Sequence, residues 1–138
     1  MKRRLRTKSK GYSSKPFVML RHDVIESENF RDLSGRAVKL LVQVCYKYRG
    51  HNNGDISIVQ KLMRDGHGWS SNDQLFKAIK ELERTGFLIR TRQGGRNKAT
   101  LYALSFHPID ECSGKHDLAP TKRAPDNWRD DCENTSNN

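Results

Sequence analysis

A helix that passes directly into a hairpin is the feature that most constrains the fold of this chain. Ser71 is suited to cap the start of a helix, and Gly86 is suited to end it. The apolar residues between them fall on one face of a helical wheel: Leu75, Ile79 and Leu82. Directly after Gly86, two short runs of alternating apolar residues flank a loop with two glycines. The sequence therefore predicts a helix over 71–85 that packs by one face on a core and is followed at once by a β-hairpin.

Two further helices are predicted upstream. Ser34 is a good N-cap for a helix over 34–49, whose inward positions recur every three or four residues: Ala37, Leu41, Val44, Cys45 and Tyr48. Polar residues recur at the same period on the opposite face of that helix: Arg36, Lys39, Gln43 and Lys47. Residues 56–65 predict a second, short helix with Ile58 and Leu62 inward, and with Val59 and Met63 as further candidates for that face. In this order the elements predict an α+β, mostly helical fold, a winged helix-turn-helix with a three-helix core plus a β-hairpin wing.

Charge is unevenly distributed along the chain, whose formal net charge is +10. Residues 1–15 carry seven cations and no carboxylate, whereas residues 107–138 carry four cations and seven carboxylates. We therefore predict three segments: a flexible basic arm at 1–15, a winged-helix DNA-binding domain at 16–106, and an irregular, largely disordered acidic tail at 107–138. A basic arm and a basic centre are typical of a nucleic-acid-binding protein, with a surface adapted for solubility as the alternative.

No stretch of the sequence approaches the roughly 20 apolar residues of a membrane span. The charged N-terminus is not followed by the apolar segment of a secretory signal. The three cysteines, Cys45, Cys112 and Cys132, are an odd number without paired spacing, which favours reduced thiols over a disulfide framework. The sequence therefore predicts a cytoplasmic protein, associated with the nucleoid through DNA, and no membrane partner.

The predicted hairpin carries several cations and no carboxylate between Gly86 and Phe106. A hairpin needs Gly or Asn for its turn, but its backbone does not require cations. We predict that this wing binds DNA, because Arg and Lys release counterions from phosphates and Arg suits a narrow minor groove. The predicted wing residues are Arg90, Arg92, Gly94, Gly95, Arg96, Asn97 and Lys98. A cationic tip that deters strand-edge pairing is the alternative.

The helix at 71–85 is predicted to be the recognition helix, lying in the major groove with its N-terminal half nearest the bases. Its predicted DNA-binding residues are Ser70, Ser71, Asn72, Gln74, Lys77, Lys80 and Arg84. Asn72 and Gln74 can contact an adenine edge through their side-chain amides, and Lys77 can contact guanine. Lys80 and Arg84, further along the helix, suit phosphates. An ordinary surface helix, with Lys77 held by Asp73 or Glu81, is the alternative. The arm residues predicted to add affinity without specificity are Lys2, Arg3, Arg4 and Arg6.

Several stretches of the sequence carry a resemblance to known proteins: "NNGD", "GWSSNDQLFKAIKELERTGFLIRTRQGGRNKATLYALSF", "PIDECSGK" and "APDNWR". Across residues 16–129 the chain resembles a set of small winged-helix proteins from bacterial phages, plasmids and integrative elements. The core is also similar to the winged-helix domain of plasmid replication initiators, many of which have two such domains where this chain has one. The resemblance implies DNA binding through the third helix and the wing, and it implies neither a particular operator nor a catalytic role.

Enzyme motifs are missing from the sequence: there is no G-x-x-x-x-G-K-[ST] phosphate loop, no G-x-S-x-G turn and no H-E-x-x-H helix. Tyr48 falls on the buried face of its helix, which favours packing over a role as a nucleophile. A zinc site from His107, Cys112, His116 and Cys132 is an alternative that their spacing disfavours, because it matches no standard cluster. The sequence therefore predicts no enzyme, no cofactor and no metal.

The combined hypothesis is a sequence-specific double-stranded DNA-binding protein that regulates transcription or replication of a mobile genetic element. Homodimer formation stays open, because the sequence has neither coiled-coil heptads nor an obvious exposed apolar face. The alternative is a winged-helix module that binds a protein partner and so blocks or recruits a host complex. RNA binding is a third option, favoured if the arm contributes more than the wing.

Overall fold

The computed structural model of the chain describes residues 15–129, so the predicted arm residues Lys2, Arg3, Arg4 and Arg6 lie outside the described part. The helices are α1 (His22–Ile25), α2 (Glu28–Arg31), α3 (Gly35–Lys47), α4 (Gln60–His67) and α5 (Asn72–Arg84). The strands are β1 (Ile56–Ser57), β2 (Leu88–Arg92) and β3 (Leu101–Leu104), and a 3₁₀ turn follows at Cys112–Gly114. The predicted α+β class is confirmed. Within residues 15–129, none of the helices has the length and apolarity needed to cross a membrane.

Side-chain caps begin the two longest helices where the sequence predicts them. Ser34 Oγ accepts a hydrogen bond from the Ala37 N–H at the start of α3, and Ser71 Oγ accepts one from the Gln74 N–H at the start of α5. Glu81 on α5 joins the two helices, since its carboxylate accepts hydrogen bonds from the Ser34 N–H at 2.8 Å and from the Ser34 hydroxyl at 2.7 Å. Burial opposes ionisation of Glu81, but the hydrogen bonds from Ser34 outweigh it and the pKa of the carboxyl is lowered. The start of α3 is therefore fixed to the third turn of α5.

α3 and α5 pack through their apolar faces on a shared core. The buried residues of α3 are Ala37, Leu40, Leu41, Val44 and Cys45. The buried residues of α5 are Leu75, Ala78, Ile79 and Leu82. Both predicted faces are confirmed except at Tyr48, which lies at the end of α3, is partly exposed, and stacks on His107 with ring centroids 4.5 Å apart. These two helices thus share the core against which the other elements pack.

The segment 56–65, predicted as one helix, is instead a strand followed by a helix. β1 pairs antiparallel with β3, with Ile56 opposite Tyr102. α4 starts later than predicted and buries Met63, while Leu62, predicted to point inward, is 56% exposed. The prediction was wrong because the strand at 56–57 depends on pairing with β3, which comes much later in the chain. Hydrophobic periodicity in so short a segment cannot indicate that partner.

The three strands form one antiparallel sheet in the order β1–β3–β2. β3 is the central strand and every residue in it is buried, so the predicted alternation of inner and outer residues fails there. A strand that is covered on both faces has no solvent face to alternate with. β2 pairs with β3 with a register shift between Arg90 and Arg92. The hairpin is therefore anchored in the core through its second strand.

The residues after the hairpin pack on the domain, although the sequence predicts an irregular, largely disordered tail from residue 107. Between 107 and 129, which we call the C-terminal segment, only the 3₁₀ turn is regular, but Ile109, His116 and Trp128 are buried. Trp128 stacks parallel to Phe87 with ring centroids 6.4 Å apart. Loop hydrogen bonds hold the segment, and such bonds leave no periodic pattern in a sequence. The boundary predicted at 106 therefore divides a packed unit, and residues 130–138 lie outside the described part.

Asn53 joins the turn before β1 to the end of β3. Its fully buried amide accepts from the Leu104 N–H at 2.7 Å and donates to the carbonyls of Leu104 and Pro108, each at 2.9 Å. Asn53→Ala would leave these backbone groups of Leu104 and Pro108 without hydrogen-bond partners. Each such group that water cannot reach lowers the free energy of unfolding by about 1–3 kcal/mol. We expect the free energy of unfolding in urea to fall by about 2 kcal/mol. The exposed Asn127→Ala, which loses no described side-chain hydrogen bond, should change it by less than about 0.5 kcal/mol, and equal changes would contradict the role of Asn53.

Candidate nucleic-acid interface

The turn between α4 and α5 is held by side chains of α3. Gln43 donates from Nε2 to the His67 carbonyl at 3.0 Å and accepts from the Trp69 indole N–H at 2.6 Å. Lys39 donates to the Gly68 carbonyl at 3.2 Å and lies over the Trp69 ring, 4.9 Å from its centroid. Both side chains lie opposite the buried face of α3, as predicted, but helical periodicity could not show that they hold a turn from another part of the chain. Through these contacts α3 fixes where α5 begins.

The exposed face of α5 presents most of the residues that the sequence assigns to DNA binding. Those exposed are Ser70, Asn72, Gln74, Lys77, Lys80 and Arg84, whereas Ser71 is occupied as the N-cap. Lys77 forms an ion pair with Asp73 at 3.3 Å, which is the contact expected of an ordinary surface helix. Both partners are more than half exposed, so solvent weakens the pair and Lys77 can exchange it for another acceptor. Lys80 lies over the exposed ring of Phe76, 5.2 Å from its centroid.

The hairpin loop ends in a tight turn that places two cations at its tip. Gly95 and Lys98 pair through their backbones, with N···O distances of 2.9 and 3.2 Å, and Arg96 and Asn97 form the turn between them. Asn97 has a φ of 60°, in the left-handed region that Asn tolerates. Gly94 is required by packing, since a Cβ there would lie 2.5 Å from a backbone nitrogen across the loop. Arg96 and Lys98 are exposed and form no ion pair with any residue from 15 to 129.

Arg90 and Arg92, the other two predicted wing cations, are bound within the protein. Arg90 donates two hydrogen bonds to the Glu83 carboxylate, both at 2.9 Å, and a third to Gln93 at 2.6 Å. The bonds to Glu83 raise the pKa of the Arg90 guanidinium. Arg92 donates to two backbone carbonyls, at 2.6 and 3.2 Å. The negative group opposite Arg90 is thus the carboxylate of Glu83 on α5. No periodic pattern in the sequence indicates that these two residues form a pair.

These contacts divide the predicted cations of α5 and the hairpin into two groups. Those with a partner inside the protein are Lys77, Arg90 and Arg92. Those that form neither an ion pair nor a side-chain hydrogen bond with a described residue are Lys80, Arg84, Arg96 and Lys98. The Glu83–Arg90 pair joins α5 to β2, so both elements that carry the unpaired cations are directly connected. We call the exposed side chains of α5 together with the hairpin loop (93–98) the helix–hairpin surface.

Comparisons with protein-family models, with curated proteins and with solved structures find no match to this chain. Hydroxyl and amide donors lie at the start of α5, and unpaired cations lie further along α5 and at the hairpin tip. Such a surface suits a partner with regularly spaced negative charge.

The described residues offer little support for a metal site or for a reactive histidine or cysteine. Among residues 15–129, no group of three or more His, Cys, Asp or Glu side chains could hold a metal ion, and Cys132 lies outside them. His116 is buried with both ring nitrogens in hydrogen bonds, one with the Asp110 carbonyl at 2.7 Å and one from the Leu118 N–H at 3.1 Å. Burial raises the pKa of the Cys45 thiol to about 12, so this thiol stays protonated at neutral pH. The helix–hairpin surface is therefore the strongest candidate site.

Proposed function

We propose that this chain is a winged helix-turn-helix protein that binds double-stranded DNA in a sequence-specific manner through the helix–hairpin surface. The observation that carries the proposal is the Glu83–Arg90 pair, which connects the two elements that bear the unpaired cations. A partner with negative charge at regular spacing along two directions would neutralise both sets of cations at once. The phosphate backbone beside a DNA groove is such a partner.

The order of the elements supports this assignment. α3, α4 and α5 correspond to the three helices of a winged helix-turn-helix, with α5 as the recognition helix. The β2–β3 hairpin corresponds to the wing. The contacts of Gln43 and Lys39 with the turn before α5 give the recognition helix a fixed starting point, which specific base contacts require.

The first turns of α5 have the side chains needed to distinguish bases. The amides of Asn72 and Gln74 can donate to and accept from an adenine edge, and Lys77 can donate to guanine. Ser70 and the N-terminal N–H groups of α5 suit a phosphate oxygen, because the helix dipole is positive at this end. Specificity is therefore assigned to this half of the helix.

The wing supplies contacts that do not depend on sequence. Arg96 lies within a tight turn and Lys98 at its end, and the small loop lets the backbone approach DNA closely. Arg96 suits a narrow minor groove, and Lys98 suits a phosphate. Arg90 and Arg92 instead fix the strands of the wing in place.

The biological role is proposed on the resemblance to winged-helix proteins of phages, plasmids and integrative elements. We propose that the protein regulates transcription or replication of a mobile genetic element, and that it acts by occupying its DNA site. The described surface has hydrogen-bond donors and cations but no arrangement of nucleophile and base, which fits occupancy better than catalysis.

The direct test is selection of random duplex DNA on the purified protein at about 50 and about 200 mM salt, followed by titration of the recovered sequences. The proposal expects a recurring motif that binds more tightly than random duplex at both salt concentrations. A motif with half-sites one helical turn apart would indicate a dimer on DNA. Failure to retain any duplex at the lower salt concentration would refute DNA binding.

Phe76 favours an alternative function, a module that binds a protein partner. Its ring is 53% exposed in the middle of the α5 face, and exposed aromatic side chains often anchor protein interfaces. In the DNA-bound form the same ring would contact a thymine methyl group. Phe76→Ala should therefore lower discrimination at one base pair, by up to about 1–3 kcal/mol. Unchanged binding to every DNA tested would favour the protein partner.

Removing the carboxylate of Glu83 should strengthen non-specific DNA binding. Glu83→Gln eliminates a negative charge beside the interface and frees Arg90 for a phosphate. We expect affinity for random duplex to rise about fivefold at about 0.15 M salt, and the salt slope to steepen by about one contact. Titration of labelled random duplex across a salt series measures both quantities.

The matched control for Glu83→Gln is Asp32→Asn, which removes the same charge at the end of α2, where the carboxylate is exposed. Asp32→Asn should raise affinity for random duplex DNA by less than twofold, because a charge far from the interface acts on DNA only through the screened net charge of the protein. A fall in affinity for Glu83→Gln would mean that the pair positions the wing and does not mask Arg90.

A further inference from the structure

A groove of about 570 Å³ lies between the chain that enters α1 and the end of α3. Its walls come from residues 16–19, from the last turn of α3 with the residues after it, and from His107. This volume is within the roughly 300–1,000 Å³ typical of sites for small molecules. None of the lining residues belongs to the helix–hairpin surface, so the groove is a separate feature of the molecule.

Flat aromatic side chains dominate the groove. Tyr48 and His107 stack with ring centroids 4.5 Å apart and an angle of 24° between their planes. Tyr46 is 54% exposed, although the Arg49 guanidinium lies over its ring, 5.1 Å from the centroid. Phe17 and Met19, in the chain that enters α1, also line the groove and are largely exposed. Rings present broad apolar surface with few rotatable bonds, so they favour a planar apolar partner that lies against them.

Arg49 gives the groove its charge. Among the described residues that line it, Arg49 is the one with a formal charge at neutral pH. Its Nη1 donates to the carbonyls of Tyr46 and Tyr48, which fixes the guanidinium at the end of α3. Within residues 15–129, its Nε and Nη2 have no hydrogen-bond partner. These two neighbouring N–H groups are the ones that bind a carboxylate side-on with two hydrogen bonds.

Two further ionisable side chains of the groove, His107 and Cys45, are neutral. Burial, followed by the charge of Arg21, lowers the pKa of His107, so its imidazole is uncharged at pH 7. The Cys45 thiol is protonated, as described above. Since the lining residues between 15 and 129 include one cation and no anion, an anionic group is attracted to one place in the groove, beside Arg49.

We propose that this groove binds a small molecule with a planar apolar body and one anionic group, a carboxylate or a sulfonate. The body lies between Tyr46 and Phe17, and the anion accepts hydrogen bonds from Arg49. The inference rests on the groove alone and holds whether or not the helix–hairpin surface binds DNA.

Two dyes that share a ring system test the apolar and the anionic halves of the site separately. 8-Anilinonaphthalene-1-sulfonate carries a sulfonate, and N-phenyl-1-naphthylamine is its uncharged relative. We expect the full chain to bind both with saturable fluorescence enhancement. Arg49→Met should weaken the sulfonate about tenfold and change the uncharged dye less than twofold, whereas Arg49→Lys, which keeps the charge but not the side-on pair of N–H groups, should recover only part of the loss.

Tyr46→Ala should weaken both dyes, because it removes a ring from the wall, whereas Leu62→Ala, which removes an equally exposed apolar side chain from α4, should weaken neither. An NMR titration of the unmodified protein with the sulfonate gives a second readout that needs no variant. Shifts should concentrate at Tyr46, Tyr48, Arg49 and His107. Non-saturable binding, shifts spread over exposed apolar residues elsewhere, or equal losses of both dyes in Arg49→Met would overturn the proposal.

Discussion

Replacing the four unpaired cations of the helix–hairpin surface with Gln should weaken binding to random duplex DNA about a thousandfold at about 0.15 M salt. The residues are Lys80, Arg84, Arg96 and Lys98. Each phosphate contact contributes about 0.9 to the slope of log affinity against log salt concentration, so losing four should flatten that slope by about 3.6. Fluorescence anisotropy with a labelled duplex over a salt series measures both changes. Selected and random sequences should lose similar factors, because phosphates are the same in both.

The control for this variant removes cations from other surfaces. Arg31 on α2 and Lys122 and Arg123 in the C-terminal segment are exposed and form no ion pair with residues 15–129. Changing these three to Gln should lower affinity less than about tenfold and leave most of the salt slope. Equal effects per charge in the two variants would mean that DNA responds to net charge and not to the helix–hairpin surface. Circular dichroism of both variants establishes that the fold is kept.

Trp128→Ala should lower the free energy of unfolding by about 3–5 kcal/mol, as is typical for deleting a buried aromatic side chain. The Trp128 indole is 2% exposed, stacks on Phe87, and donates from Nε1 to Asp126 at 3.0 Å. Its backbone carbonyl also accepts from Asn29 at 2.8 Å, so the residue joins the C-terminal segment to α2. Urea denaturation followed by tryptophan-independent circular dichroism measures the change.

Two variants show whether this loss arises from the cavity under Trp128. Trp128→Phe keeps a ring against Phe87 and should lose about half as much as Trp128→Ala or less. Phe76→Ala removes an exposed ring and should change the free energy of unfolding by less than about 0.5 kcal/mol. A loss below about 1 kcal/mol for Trp128→Ala would contradict a structural role for the C-terminal segment.

The elements that could be predicted from the sequence are those specified by residues close together in the chain. The N-caps Ser34 and Ser71 lie three residues from the amides they accept, and the apolar faces of α3 and α5 repeat every three or four residues. The turn at the hairpin tip is equally local, because Asn97 and the glycines act on their own backbone. Local chemistry of this kind is visible in any window of a few residues.

The features that could not be predicted depend on distant partners. β1 has two residues and exists because β3 offers it an edge, and the C-terminal segment is ordered by Phe87, Ser105 and Arg21. In the candidate site the sequence supplied the exposed cations, but it could not show that Glu83 occupies Arg90 or that Gln43 holds Trp69. Hydrophobic periodicity locates buried faces but does not indicate which residue a charged or polar side chain contacts. Those partners become known only from the three-dimensional arrangement of the elements.

The position of the central strand has a consequence for how the protein is made. β3 lies between β1 and β2 but follows both in the chain, and Arg21 donates to Asp126, which is 105 residues away. A growing chain on the ribosome therefore cannot complete the sheet, or cover Phe87 with Trp128, until its later part has emerged. During that interval the apolar faces of α3 and α5 lack their final cover, which is the period when chaperones and aggregation compete with folding.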